Sequence, residues 1–257
     1  MDNRPVLIHY HIFKNAGCSV DASLKASFGD AWAGFEGVHA HDILSARQFA
    51  EFLRANEHVR AVSSHLARPP LPWNGCLPVV FLRHPLLRAR SVYEFTRRDP
   101  SQPFADIARG GDFKDYVRWA LRRERGSIVI RNYQVVHLSD ASWRCADILD
   151  AEAEPRDLEQ ASRLLTSWGI AGIVESFALS AKLFQKNYGP VLPGLEFMDR
   201  HEHATVRHEG SIEDQIARVA EMLDETLYEE FMALNALDLA LYTHAKRILD
   251  RAADSCG

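Results

Sequence analysis

Short apolar runs alternate along this chain with longer stretches in which apolar residues recur every three to four positions. The run "PVLIHYHI" (5–12) is short and rich in branched residues, as a strand is, and the segment from Ser19 to Phe28 after the small residues "NAGC" predicts a helix. A second helix is expected from about Ala46 to Ala55, followed by "VRAVSSH" and "CLPVVFLRHP". Val79 to Leu82 is apolar without alternation, which predicts a strand covered on both faces, as in a parallel sheet beneath helices. Pro85 stands where a helix can begin, and "LLRARSVYEFTRR" continues it. The stretch from Asp99 to Asp140 is polar and Arg-rich and predicts helix in pieces. "GIAGIVE" reads as one more short strand, "SFALSAKLFQKNYG" as a helix closed by a Gly-Pro stop, and Ile212 to Ala252 as helical almost throughout. Strand-helix alternation without repeats or linkers predicts an α/β fold, three-layer α/β/α around a central parallel sheet, in a single domain (1–257). Ligands then belong at the C-terminal ends of the strands.

Composition narrows the function classes. A chain of 257 residues, 47% hydrophobic and 25% charged, is large enough for one well-buried core. A net charge of −5 argues against a general nucleic-acid binder and leaves room for a local anion pocket. No stretch approaches the roughly 20 apolar residues of a membrane span, and the first residues lack a signal-peptide core, so a cytoplasmic protein without a membrane anchor is expected. Cys18, Cys76, Cys145 and Cys256 lie far apart without a CxxC pair, which predicts reduced thiols.

The stretch "HIFKNAGCS" (11–19) carries chemistry. A turn of small residues between a buried strand and a helix presents backbone N–H groups to an anion, and the helix dipole favours negative charge there. A kinase or ATPase loop would read GxxxxGK[ST], with its lysine after the glycines; here Lys14 comes first and Gly17 is the only glycine. A lysine ahead of the loop suits a different task, offsetting the charge that develops on a departing phosphate.

With these residues in view, a resemblance is plain. "HIFKNAGCSV" resembles the 5′-phosphosulfate loop of sulfotransferases, commonly HIPKTGGTS, and "VVFLRHPLLRARSVYEF" resembles their 3′-phosphate motif, commonly LRDPxxRAxSxY. The pair is similar to that of the carbohydrate-type sulfotransferases, which include the heparan sulfate 2-O-sulfotransferases and bacterial relatives. The resemblance implies a fold shared with P-loop kinases and the donor 3′-phosphoadenosine 5′-phosphosulfate (PAPS), with no metal required. It implies that Lys14 and Ser19 hold the 5′-phosphosulfate with loop groups of Asn15, Ala16, Gly17 and Cys18, and that Arg83 and Ser91 bind the 3′-phosphate. An Arg fork plus a hydroxyl suits a dianion. "SSHLARP" resembles the strand end where uronyl-type members place a catalytic histidine, here His65; His11 is a second candidate base. "IRNYQVVHLSD", "GIVESFALSAKLF" and "LNALDLALYTHAK" resemble further family segments. Departures are Phe13 for Pro, Asn15 and Cys18 for Thr, Ala16 for Gly and His84 for Asp.

Plainer readings stand beside these. His65 can be a hydrogen-bonded strand-end histidine. The pairs His9/His11, His39/His41 and His201/His203 have the i, i+2 spacing of zinc ligands on a strand, yet no spacing fixes a third ligand, so no metal is expected. Cys18 reads as a packed Ser/Thr replacement, not a nucleophile. Arg118, Arg122, Arg123 and Arg125 read equally as an anionic-acceptor contact or a solvated helix face, Glu175 as a helix cap, and Leu223 to Leu241 as core with a homodimer seam as the alternative. The function expected is transfer of a sulfuryl group from PAPS to a hydroxyl of a small-molecule or glycan acceptor. A P-loop kinase or ATPase and a non-catalytic nucleotide-binding relative are the rivals.

Overall fold

The computed structural model describes residues 4–37, 42–123, 126–198 and 210–255. Five strands form one all-parallel sheet: β1 (Val6–Tyr10), β2 (Trp32–Gly34), β3 (Ala61–Ser64), β4 (Cys76–Leu82) and β5 (Gly172–Ile173), in the spatial order β2-β3-β1-β4-β5. The α-helices among the described residues are α1 (Gly17–Phe28), α2 (Ala46–Ala55), α3 (Pro85–Arg98), α4 (Ala105–Gly110), α5 (Phe113–Leu121) and α6 (Tyr133–His137). They continue with α7 (Pro155–Trp168), α8 (Phe177–Tyr188), α9 (Ile212–Ala220), α10 (Glu225–Leu234) and α11 (Ala236–Asp254).

The α/β class with helices flanking a parallel sheet is as expected, and the reason is visible on β1. Successive side chains of a strand point to opposite faces. Tyr10 stacks on Trp168 of α7, while His9 meets Asp21 of α1, so both faces are covered and the whole strand is buried. The chain leaves β1 through α1 to build β2 and β3 on one side, then returns past β1 to build β4 and β5 on the other. That reversal is a topological switch point, and it leaves a crevice at the carboxyl ends of β1 and β4.

Several elements differ from the sequence reading. α1 begins at Gly17, two residues before Ser19, because Lys14 and Ala16 adopt φ of 65° and 62° and close the turn early. Of "GIAGIVE", only Gly172 and Ile173 pair in the sheet, and Val174–Ser176 already coils. A Cβ on Gly172 would stand 2.6 Å from the Phe81 ring, so glycine is what lets β5 approach β4. The helical stretch after Ile212 is three helices, divided where the Asp224 side chain caps α10 and again at Asn235. Two elements carried no expectation. α7 has legible signals in Pro155 at its first turn and Gly169 in a left-handed C-terminal turn, whereas β2 is a three-residue edge without periodicity.

The main core fills both sides of the sheet. A second cluster, including Leu86, Val92, Phe113, Val117, Val219 and Phe231, joins α3, α5, α9 and α10. Leu223 and Leu227 are buried there and Leu241 in the main core, so this amphipathic stretch packs as core. No described helix is long and apolar enough to cross a membrane.

Candidate functional site

The loop from His11 to Ala16 leaves β1 and wraps the N-terminus of α1. Its shape follows from a few bonds: the amide of His11 donates to Ser64 O at 3.0 Å, that of Asn15 to Ile12 O at 3.1 Å, and those of Ser19 and Val20 to Ala16 O at 3.0 and 3.2 Å. Ala16 is the N-cap and no side chain caps this helix. The first amides of a helix have no partner within it, so Gly17 and Cys18 offer N–H groups at the crevice. Gly17 has a second requirement, because a Cβ there would stand 1.8 Å from His11 Nε2. Cys18 is exposed and free, and Ser19 is half-buried. Lys14 lies with its Nζ 4.3 Å from the Phe95 ring centroid on α3, and Phe13 packs edge-on against the same ring. Burial, and in smaller part the neighbouring Arg83, pull the Lys14 pKa down, although Cys18 acts against this.

Asn15 belongs to the framework of the loop. Its side chain is buried and donates to Phe81 O at 2.8 Å and to Gln134 Oε1 at 2.7 Å, and its amide is already used. Only the loop it shapes, and neither its side chain nor its N–H, faces a ligand. Gln134 gathers the site: its Oε1 also accepts from Arg83 N at 2.9 Å, and its Nε2 donates to Arg83 O at 3.0 Å and to Asp238 Oδ2 at 3.2 Å. Asp238 accepts from the amides of Gln134 and Val135 and so caps α6, while Asn132 Oδ1 accepts from Asp238 N at the start of α11. The segments "RNYQVV" and "NALD" therefore cap each other and hold the ends of β1 and β4 together.

Arg83 follows the last residue of β4. Its Nη1 donates to Lys14 O at 3.3 Å, and its Nε lies 3.9 Å from Glu175 Oε1, too far for a hydrogen bond and with no other partner among the described residues. Burial lowers its pKa and Glu175 partly restores it. Glu175 does not cap the helix after it. It accepts from His84 N at 3.0 Å and from the Tyr242 hydroxyl at 3.2 Å, and burial raises its pKa. Ser91 sits half-buried in the second turn of α3.

Beside the loop lie three imidazoles. His65 follows β3 and is half exposed; its amide donates to Glu36 Oε1 at 2.9 Å and its Nδ1 contacts the same oxygen at 3.1 Å. A carboxylate only accepts, so Nδ1 carries a proton, and Nε2 has no hydrogen-bond partner among the described residues. Burial raises the Glu36 pKa, but the bonds from His65 and Ser64 outweigh it and the net pKa is lowered. His11 stacks on His65 with centroids 3.7 Å apart and places its own Nδ1 3.0 Å from Asp21 Oδ2. His9 Nδ1 lies 2.8 Å from Asp21 Oδ1 and 3.1 Å from Ser63 Oγ. Burial lowers the His11 pKa to about 4, so the ring is neutral. For Asp21, burial acts upward but the hydrogen bonds from His11 and His9 prevail, holding the carboxyl well below its ordinary range.

The structure thus gathers Lys14, Gly17, Cys18, Ser19 and Arg83 at one crevice, with His65 and His11 at its side. Sequence reasoning missed Glu36 and Asp21, for which no local pattern exists, and Gln134 and Asp238, whose segments were marked but whose roles were not. His39, His41, His201, His203, Arg125 and Cys256 lie outside the described residues. Arg118 pairs with Asp224 at 3.0 Å and with Asp115, and Arg123 stacks on Phe104 and Trp119, so both serve the surface of the second core.

No family model matches the chain. An uncharacterized protein of Archaeoglobus fulgidus is 28% identical over 248 residues, spanning 93% of this chain and 95% of its own length. The likeness runs nearly end to end, and that protein's description assigns neither activity nor ligand.

Proposed function

We propose that this protein is a sulfotransferase that moves a sulfuryl group from PAPS to an acceptor hydroxyl, on a carbohydrate or a small molecule. One observation carries the reading. The two segments that resemble the 5′-phosphosulfate and 3′-phosphate motifs end adjacent parallel strands, in the register Tyr10↔Val80, and touch through Arg83 Nη1 and Lys14 O. Two features suited to an anion, a helix N-terminus with no side-chain cap and the half-buried guanidinium of Arg83, lie together at the switch point.

The chemistry assigns each group a task. The acceptor oxygen forms a bond to sulfur as the sulfur–oxygen bond to the 5′-phosphate breaks; the hydroxyl proton passes to His65 Nε2 and the negative charge to the phosphate. Lys14 and the Gly17 and Cys18 amides offset that charge, Ser19 adds a hydroxyl, and Arg83 with Ser91 holds the 3′-phosphate. His65 is a better base than His11, because His11 is buried with its Nε2 against Gly17 whereas His65 is half exposed. Glu36 is a positioning residue that fixes the His65 tautomer. A cytoplasmic location goes with this reading and rests on it.

The test is calorimetric titration of the protein with adenosine 3′,5′-bisphosphate and with ATP plus magnesium, repeated on Arg83→Ala. Binding of the bisphosphate that Arg83→Ala weakens, with little response to ATP, is expected. Binding of ATP alone would replace this reading with a kinase-like one. Bisphosphate binding without transfer to any acceptor tried would favour the non-catalytic relative.

A further inference from the structure

We propose that His9, His11 and Asp21 form a binding site for a first-row divalent transition cation of the zinc class, set between β1 and α1 behind the anion loop. The i, i+2 spacing puts both imidazoles on one side of β1, and the fold brings the third ligand, Asp21, from the second turn of α1. One ligand atom from each residue lies within 4.8 Å of the others. Both histidines aim the same atom, Nδ1, at the one carboxylate, at 2.8 and 3.0 Å. Zinc bonds of about 2.0–2.1 Å in a tetrahedron set ligand atoms about 3.3 Å apart, so each histidine–carboxylate pair needs to open by only a few tenths of an ångström.

The donor chemistry selects the ion. Two imidazoles and a carboxylate suit Zn²⁺, Co²⁺ or Fe²⁺, whereas Mg²⁺ and Ca²⁺ prefer oxygen-only sets. On binding, each imidazole turns an Nδ1 lone pair to the cation, which replaces the two contacts to Asp21. His9 and His11 are nearly inaccessible, while Asp21 keeps 24% side-chain exposure, which gives an entry path. Ser63 Oγ, 3.1 Å from His9 Nδ1, lies close enough to supply or orient a fourth ligand. A cation there ties the start of the loop to α1 and puts positive charge behind the anion-binding amides. Sulfuryl transfer does not require it, so this site stands or falls apart from the proposed activity.

The experiment uses the full chain, stripped with a chelator and titrated with ZnCl₂ by calorimetry and against a chromophoric competitor. One equivalent is expected to bind, with a rise in thermal midpoint. Asp21→Asn and His11→Gln should each weaken binding at least about tenfold. A His201→Gln, His203→Gln double variant should leave it unchanged. To keep the test independent of the folding of the Asp21 variant, the unaltered chain is also loaded with Co²⁺, whose visible absorption should report four- or five-coordination and be abolished by zinc. No stoichiometric uptake, uptake indifferent to both single variants, or a cobalt spectrum of the hydrated ion would each overturn the site.

Discussion

The imidazoles of His11 and His65 lie face to face, 3.7 Å between centroids, and each is fixed through Nδ1 by its own carboxylate, Asp21 for His11 and Glu36 for His65. One ring is buried and one is half exposed, so the two are matched in orientation and opposed in access to solvent.

If His65 is the base, His65→Ala should lower transfer to a carbohydrate acceptor by about 10²–10⁴-fold and leave bisphosphate affinity unchanged. Glu36→Ala should have a smaller effect on the rate and shift the ¹⁵N tautomer signature of His65, which a purely structural glutamate would not do. Wild-type transfer by His65→Ala would remove it from the mechanism.

Gly17→Ala forces a methyl into the His11 ring, since the added Cβ would stand 1.8 Å from Nε2. Overpacking of this kind costs about 1–3 kcal/mol, and the displaced loop should bind bisphosphate more weakly. Urea denaturation of Gly17→Ala, His11→Ala and the double variant checks the cause. The double variant should recover part of the loss if the clash is with His11.

Asp238→Ala removes the acceptor for the amides of Gln134 and Val135 and the partner of the Gln134 side chain. Leaving such groups buried and unpaired costs about 1–3 kcal/mol each. Stability should fall by at least the lower figure. Bisphosphate binding should weaken as well, because Gln134 aligns both Asn15 and Arg83.

Acid should destabilise the fold in a defined window. Burial holds His11 and His84 at about 4 and His137 well below its ordinary value, against about 6.5 in an unfolded chain. Between those values the unfolded state binds more protons, so stability is full above about pH 6.5 and falls as pH drops toward 4. Each such proton contributes about 1.4 kcal/mol per pH unit. Glu175 and Asp238, which burial pushes up, oppose this slope in the lower part of the window, since their folded forms hold protons that the unfolded forms release. Asp21, depressed by its two histidines, adds a loss only below about pH 3.9. Urea unfolding from pH 7 to 4.5 measures the net slope, and His84→Gln should reduce it by about one proton.

The sequence by itself determined β1, β4 and the loop. An unbroken apolar run at Val79 to Leu82 needs cover on both faces, a small-residue turn before a helix leaves amides open, and Pro85 suits the first turn of a helix. These demands are local, set by side-chain volume, backbone freedom and periodicity, so they survive without knowledge of the neighbours. Only the tertiary structure decided which carboxylate each histidine meets, that Asn15 turns inward to Gln134, and that Asp238 and Asn132 cap each other's helices. Those partners lie 10 to 119 residues apart and come together only when the chain packs around β1. An isolated Asp21 or Glu36 has no signature, since a carboxylate on a helix or in a loop is by default a solvated charge. Strand order, which depends on how the whole core closes, is what makes each of them the partner of a histidine.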